Sequence, residues 1–181
     1  AAVTLIEYSD LQCPACAAYH PVVKQLIEEY GDQLRFEYKH FPLPMHSYAM
    51  QAAVAAEAAG QQGEFFTFQD MLFENQEECS PSPTPGVFFT QYAEELGLDM
   101  DTFKRHMNST ILRDQVREDL AEGRAAGITA TPTFFLNGEQ MNPNEFQTLA
   151  GFAEMVVRAI DPNAVASSTE ATAEADVTFG L

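Results

Sequence analysis

The chain has 181 residues, 46% of them hydrophobic and 11% aromatic, which is enough apolar material for one domain, or for one domain carrying an insertion. Nine Lys and Arg stand against 27 Asp and Glu, a formal charge of −18 that repels a phosphate backbone and leaves counterion release no role, so nucleic acid is excluded as a partner. The apolar stretches all break well before the roughly 18 residues that a membrane span needs.

The first residues, Ala1-Ala2-Val3-Thr4-Leu5-Ile6, already read as a strand, so a leader or anchor is expected to have been removed or never to have been present. The β-rich run ends near Tyr8. Pro14 to Tyr30 then reads as a helix with Pro21 inside it, a position where the missing N–H predicts a kink. Leu34, Phe36 and Tyr38 alternate with Arg35, Glu37 and Lys39 and predict a second strand. From Ser47 to about Gly127 the pattern is helical: Ala49–Ala59, Phe65–Phe73, Val87–Leu96, Asp101–Met107 and Ile111–Ala126. Thr133–Leu136, the pair Asn137-Gly138 and Glu139–Met141 predict a hairpin on a type I′ turn. Asn142-Pro143-Asn144-Glu145 supplies a cap, a Pro at the first helical position and an acid at the third, opening a helix expected to run to about Ile160. Ser167–Asp176 reads as a flexible tail, and Val177–Leu181 is apolar enough to dock on a surface.

This order, β-α-β, a helical block, then β-β-α, is that of an α/β protein with a thioredoxin-like fold and an inserted helical domain. The expected bounds are 1–43 with 127–162 for the discontinuous thioredoxin-like domain, 44–126 for the insertion and 163–181 for the tail.

The chemistry centres on Cys13-Pro14-Ala15-Cys16, where the first strand gives way to the first helix. Cysteines three apart at a helix start can close a disulfide, while the unpaired backbone N–H groups and the helix dipole stabilise a thiolate on the first sulfur. Cys13 is thus the expected accessible nucleophile. Cys16, one turn further in, is the shielded sulfur that resolves a mixed disulfide. The competing reading is half of a zinc site, completed by His20 with Cys79, His40 or His46, but none of these forms a second paired motif, and the β-α-β setting favours redox chemistry.

Asp10-Leu11-Gln12-Cys13-Pro14-Ala15-Cys16, Lys39-His40-Phe41-Pro42-Leu43-Pro44 and the segment Gly123-Arg124-Ala125-Ala126-Gly127-Ile128-Thr129-Ala130-Thr131-Pro132-Thr133-Phe134-Phe135 together resemble the DsbA-like bacterial thiol-disulfide oxidoreductases. The likeness runs from Val3 to about Ile160. It implies that Thr131-Pro132 is a cis-proline loop facing the disulfide, with the Thr131 backbone open to an extended substrate strand and Pro14 and Ala15 beside it. Glu7, six positions before Cys13 in an apolar strand, matches the buried acid that thioredoxin-like proteins place beneath their cysteines. Burial there raises its pKa and equips it to shuttle a proton for Cys16. The alternative is a carboxylate that escapes to solvent at the strand end.

The resemblance implies an oxidase that donates the Cys13–Cys16 disulfide to reduced, unfolded proteins outside the cytoplasm, in the periplasm or cell envelope. It further implies reoxidation by a membrane partner of the quinone-linked DsbB-like or the vitamin-K-epoxide-reductase-like (VKOR-like) type. No cofactor beyond the redox-active disulfide and no metal is expected, and the chain is expected to be a monomer. A disulfide reductase or isomerase, and a non-catalytic metal- or peptide-binding module, are the other readings. Ala15 offers the Cys13 thiolate no side-chain donor, which predicts a milder oxidant than the strongest of the family.

Among the remaining residues, His40 is expected to shape the link into the helices, His20 to be exposed, and His46 and His106 carry no assignment. Cys79, flanked by Glu77 and Glu78, is expected to be a buried or inert thiol, because neighbouring acids raise a thiol pKa. Phe65, Phe66, Phe68 and Phe73 are expected mostly to fill the helical core.

Overall fold

The computed structural model describes residues 3–164. The expected tail, Ser167–Asp176 and Val177–Leu181, lies outside them. Thirteen elements follow one another: β1 (Val3–Ser9), α1 (Pro14–Tyr30), β2 (Leu34–His40), α2 (Ala49–Gly60), α3 (Phe65–Glu74), α4 (Gln76–Cys79), α5 (Gly86–Glu95), α6 (Met100–Met107), α7 (Thr110–Ala125), β3 (Thr133–Leu136), β4 (Glu139–Gln140), α8 (Pro143–Phe146) and α9 (Leu149–Ile160). The four strands form one sheet in the order β2-β1-β3-β4, and six helices are inserted between β2 and β3, so the fold is the expected α/β, thioredoxin-like one with a helical insertion. Among the described residues no helix is long and apolar enough to cross a membrane.

Two compact units divide the chain. One comprises, of the described residues, those up to Ile6, Pro21–Glu37 and those from Phe134; its buried residues include Leu5, Val23, Leu26, Leu34, Phe134, Phe152 and Val156. Phe134 and Phe152 lie with ring centroids 4.4 Å apart, and Phe146 meets Phe152 edge-on at 5.6 Å. The β3–β4 hairpin is antiparallel, pairing Phe135 with Gln140 and Leu136 with Glu139. Its turn residues have φ of 51° at Asn137 and 85° at Gly138, the positive angles that a type I′ turn demands. Asn137 is fastened from both sides: its N–H donates to the Thr4 carbonyl at 2.8 Å, and its side-chain oxygen accepts from the Thr4 N–H at 2.9 Å.

The single helix expected from Pro143 to Ile160 is instead two. α8 ends at Gln147, whose φ of 58° is left-handed, and Thr148 then caps α9 by accepting from the Gly151 N–H at 3.0 Å. A threonine at the start of an apolar helical run is a stronger start signal than the expected continuation allowed for.

The other unit comprises Glu7–His20 and Tyr38–Thr133. At its centre lies α2, which packs against α3, α5, α6 and α7. The helix can be surrounded because Ala52, Ala53, Ala55, Ala56, Ala58 and Ala59 present almost no bulk, and all are buried. Phe68, Phe89, Phe103 and Val116 fill the surrounding space, with Phe68 and Phe103 centroids 5.8 Å apart. Of the aromatic run in α3, Phe68 and Phe73 are core residues while Phe66 is exposed. The short α4 had no counterpart among the expected helices: at four residues it is too brief for hydrophobic periodicity to register.

Candidate active site

Cys13 sits where β1 has ended and α1 has not begun. Its N–H donates to the Asp10 carbonyl at 3.0 Å and its carbonyl accepts from the Ala17 N–H at 3.1 Å, so it occupies the capping position of α1 with Pro14 as the first helical residue. Pro14 carries no N–H, which leaves those of Ala15 and Cys16 directed at the Cys13 sulfur. The Cys16 thiol, donating to that sulfur, is the strongest influence holding Cys13 down. The Thr131 hydroxyl and the two backbone N–H groups add to it against the opposing effect of burial, and the Cys13 thiol falls to about 6. Cys16 responds oppositely. Burial, then the adjacent Cys13 and the charge of Glu7, push it well above the ordinary thiol range.

Cys13 and Cys16 are not joined by a disulfide here. Cys13 is 6% exposed and Cys16 is not exposed at all. The order of access is the expected one, but Cys13 is more covered than an open nucleophile would be. One reason is the loop at Thr131, whose carbonyl accepts from the Cys13 thiol at 3.5 Å. The Thr131–Pro132 peptide is cis. Cys13, Cys16, Thr131 and Pro132 are thereby brought to one place, with Pro14 and Ala15 in the turn between the sulfurs.

Glu7 is 3% exposed, and burial, with the charge of Cys13 adding to it, raises its carboxyl to about 7. The escape to solvent weighed against burial does not occur. Ser9 lies two residues further along β1 and is 1% exposed, and its hydroxyl faces Glu7, Cys16 and the Tyr38 phenol of β2.

Several residues that support the turn carried no assignment from the sequence. The buried Asp10 carboxylate accepts from the Gln12 N–H at 2.8 Å and the Leu43 N–H at 2.8 Å, and meets His46 Nδ1 at 2.7 Å, while the Asp10 N–H donates to Cys16 Sγ at 3.5 Å. The Gln76 side-chain amide of α4 donates to the carbonyls of Leu11 and Cys13, both at 3.0 Å. Gln12 accepts from the Tyr48 N–H at 2.9 Å. Asp10 and Gln12 belong to the same short motif as the cysteines, which was the available signal; nothing near Gln76 in the sequence points to it.

The other candidates lie apart from this chemistry. His40 is buried and bonded to Glu57 at 2.9 Å, while its N–H donates to Asp119 at 3.0 Å, so it fastens the end of β2 to α2 and α7. His20 is not the exposed side chain expected: it bonds Asp70 at 2.6 Å and its ring lies 4.7 Å from that of Phe73. Cys79 is 3% exposed and raised to about 11, by burial and not by the adjacent acids. Among the described residues no three His, Cys, Asp or Glu side chains converge in a way that could hold a metal.

A nucleophilic sulfur at a helix start, paired with a shielded one and overlain by a proline loop, defines a protein of the thiol-disulfide exchange class. The chain belongs to the thioredoxin family, whose model matches residues 1–155, and it is DsbA-like in fold. Among solved structures it is similar to DsbA2 of Pseudomonas aeruginosa, at 28% identity and a TM-score of 0.65 over 78% of this chain and 79% of that one. Oxidised BdbD of Bacillus subtilis shares the fold at 21% identity, with a TM-score of 0.74 over 88% of each chain. Among curated proteins it is 37% identical, over 141 residues, to the Na(+)/H(+) antiporter NhaA 3 of Salinispora tropica, covering 77% of this chain but only 21% of that protein. The chain therefore spans about a fifth of the length of the curated relatives it matches, and their antiport is an activity of far longer proteins.

Proposed function

We propose that this oxidoreductase works as an oxidase, donating a Cys13–Cys16 disulfide to reduced proteins folding outside the cytoplasm. One observation carries the reading: the two sulfurs are driven in opposite directions, Cys13 to about 6 and Cys16 well above the ordinary range. A substrate thiolate attacks Cys13 Sγ, the Cys13–Cys16 bond breaks and Cys16 leaves. A second substrate thiolate then attacks its own half of the mixed disulfide, and Cys13 departs as the stabilised anion. The substrate gains a disulfide and the enzyme is left as the dithiol. Because a low thiol pKa favours the reduced form, it makes the disulfide more oxidising.

Glu7 serves as the proton store for Cys16, and the cis-proline loop, through the Thr131 backbone, receives the substrate strand, with Pro14 and Ala15 lining the approach. The redox pair is the whole reactive group, and no cofactor is required. The enzyme acts as a monomer in the periplasm or cell envelope and is returned to the disulfide by a membrane partner of the DsbB-like or VKOR-like type.

A value of about 6 also bears on a second reading, since it lies nearer to thioredoxin's, about 7, than to the roughly 3.5 of the strongest DsbA-type oxidant. That favours a milder oxidant and leaves disulfide reduction or isomerisation as the competitor. Equilibration with glutathione, beside oxidation of a reduced test protein by wild type and Cys13→Ser, decides between them. A potential well above thioredoxin's roughly −270 mV, with oxidation lost in Cys13→Ser, supports the oxidase; a potential at thioredoxin's value overturns it.

A further inference from the structure

Ser9 and the Tyr38 phenol both bury hydroxyl groups that make no hydrogen bond of good geometry, although the Ser9 hydroxyl lies against Glu7, Cys16 and Tyr38. A buried hydroxyl left unpaired is costly and uncommon, so two of them beside a redox centre call for a reason. The placement supplies one. Glu7 and Ser9 are two apart on β1, so strand alternation sends both side chains to the same face. Cys16 Sγ is brought to the end of this strand by the Asp10 N–H, 3.5 Å away and one residue beyond Ser9. Tyr38 approaches from β2, packed on His40 and Phe65 with centroids 5.1 and 5.6 Å away.

We propose that the Ser9 hydroxyl carries the proton between the Cys16 sulfur and the Glu7 carboxyl. This rests on the reading above that Glu7 is the proton store for Cys16. When Cys16 resolves a disulfide between Cys13 and a partner, the Cys16 S–H passes its proton to Ser9 Oγ as the Ser9 proton passes to the Glu7 carboxylate. The Cys16 thiolate then forms the Cys13–Cys16 bond, and the partner leaves as a thiolate. When a substrate thiolate opens the disulfide, the departing Cys16 thiolate receives a proton by the same route reversed, and Glu7 is left ionised. No electron acceptor other than the exchanging disulfide enters either step.

The groups facing this path are few. Cys13 before α1 and Cys16 within it face Glu7, and Tyr38 of β2 faces Glu7, Cys16 and Ser9 with its phenol held neutral by burial. From α3 comes only the uncharged Gln69, directed at Tyr38. Tyr38 also meets both ends of the transfer, but Ser9 is the one that shares the β1 face with Glu7 and lies against Cys16.

The test is the rate at which Cys16 resolves a preformed mixed disulfide between Cys13 and a small thiol, followed from pH 5 to 9 in wild type, Ser9→Ala, Glu7→Gln and the double variant. Ser9→Ala is expected to slow resolution roughly 10- to 100-fold at pH 7 and to erase the inflection contributed by Glu7. It should leave the Cys13 titration unchanged. The double variant is expected to be no slower than Glu7→Gln. Wild-type rates in Ser9→Ala, or effects of the two single variants that multiply, would overturn the relay while leaving Glu7 as the proton store. A Glu7→Gln variant with an unaltered rate and pH profile would instead remove the store itself, and the relay with it.

Discussion

The Gln76 side chain lies 3.0 Å from the carbonyl oxygens of both Leu11 and Cys13, so one amide from the helical insertion holds the two sides of the redox turn. The Cys13 carbonyl keeps a second donor in the Ala17 N–H. Gln76→Ala is therefore expected to cost about 1–2 kcal/mol, mainly through the Leu11 carbonyl, measured by denaturant unfolding. A loss near zero would show that the turn is held by its own backbone alone.

The reduced protein is expected to show a thiolate absorbance titrating near pH 6, and Cys16→Ala is expected to move that midpoint upward, since the Cys16 thiol is the strongest stabiliser of the Cys13 anion. The stability consequence has a defined sign. A thiol depressed from 9.0 to about 6 by folding stabilises the folded dithiol above pH 9, and this contribution fades as pH falls through about 6. Unfolding of the dithiol and disulfide forms, compared between pH 6 and 9, should show the dithiol gaining with rising pH.

Glu7 works in the other direction. Folding raises its pKa from 4.5 to about 7, so its contribution is intact below pH 4.5 and is lost as pH rises through 7. Glu7→Gln is expected to be more stable than wild type at pH 8 by about 2–3 kcal/mol, with the difference vanishing below pH 4.5. The comparison belongs in the disulfide form, where neither thiol titrates. A variant less stable than wild type at pH 8 would mean that the ionised carboxylate is well solvated.

Gly123 of α7 marks a close approach. A Cβ there would come within 2.7 Å of Phe41 and 3.0 Å of Tyr8, whose rings meet edge-on at 6.4 Å. Gly123→Ala is expected to destabilise the protein by about 1–3 kcal/mol despite the better helix propensity of alanine, as thermal unfolding would show.

From β1 to β4 every helix and strand that periodicity marks is present, with ends shifted by a residue or two, because α2, α3 and α7 are long enough for the apolar pattern to repeat; only the one-turn α4 has no marked counterpart there. The site was legible where its parts are adjacent in sequence. Cys13, Cys16 and Glu7 fall within ten residues, whereas Ser9, two positions beyond Glu7, carried no assignment. Gln76 was not legible, since it reaches the turn across 63 positions from a one-turn helix with no pattern of its own. His20 was misjudged for the same reason: its partner Asp70 lies 50 positions away. The C-terminal helix is divided because a second cap at Thr148 follows the one at Asn142 within six residues, too close for periodicity to separate the two helices.

Burial of Cys79 has a consequence for fidelity. With its thiol at about 11 and Cys13 at about 6, the thiolate fractions at neutral pH differ by roughly four orders of magnitude, on the order of one in ten thousand against nine in ten. A chain with three cysteines can in principle lock itself into two wrong pairings. Here burial holds the third sulfur as a neutral thiol, which leaves Cys13 as the sulfur best able to exchange.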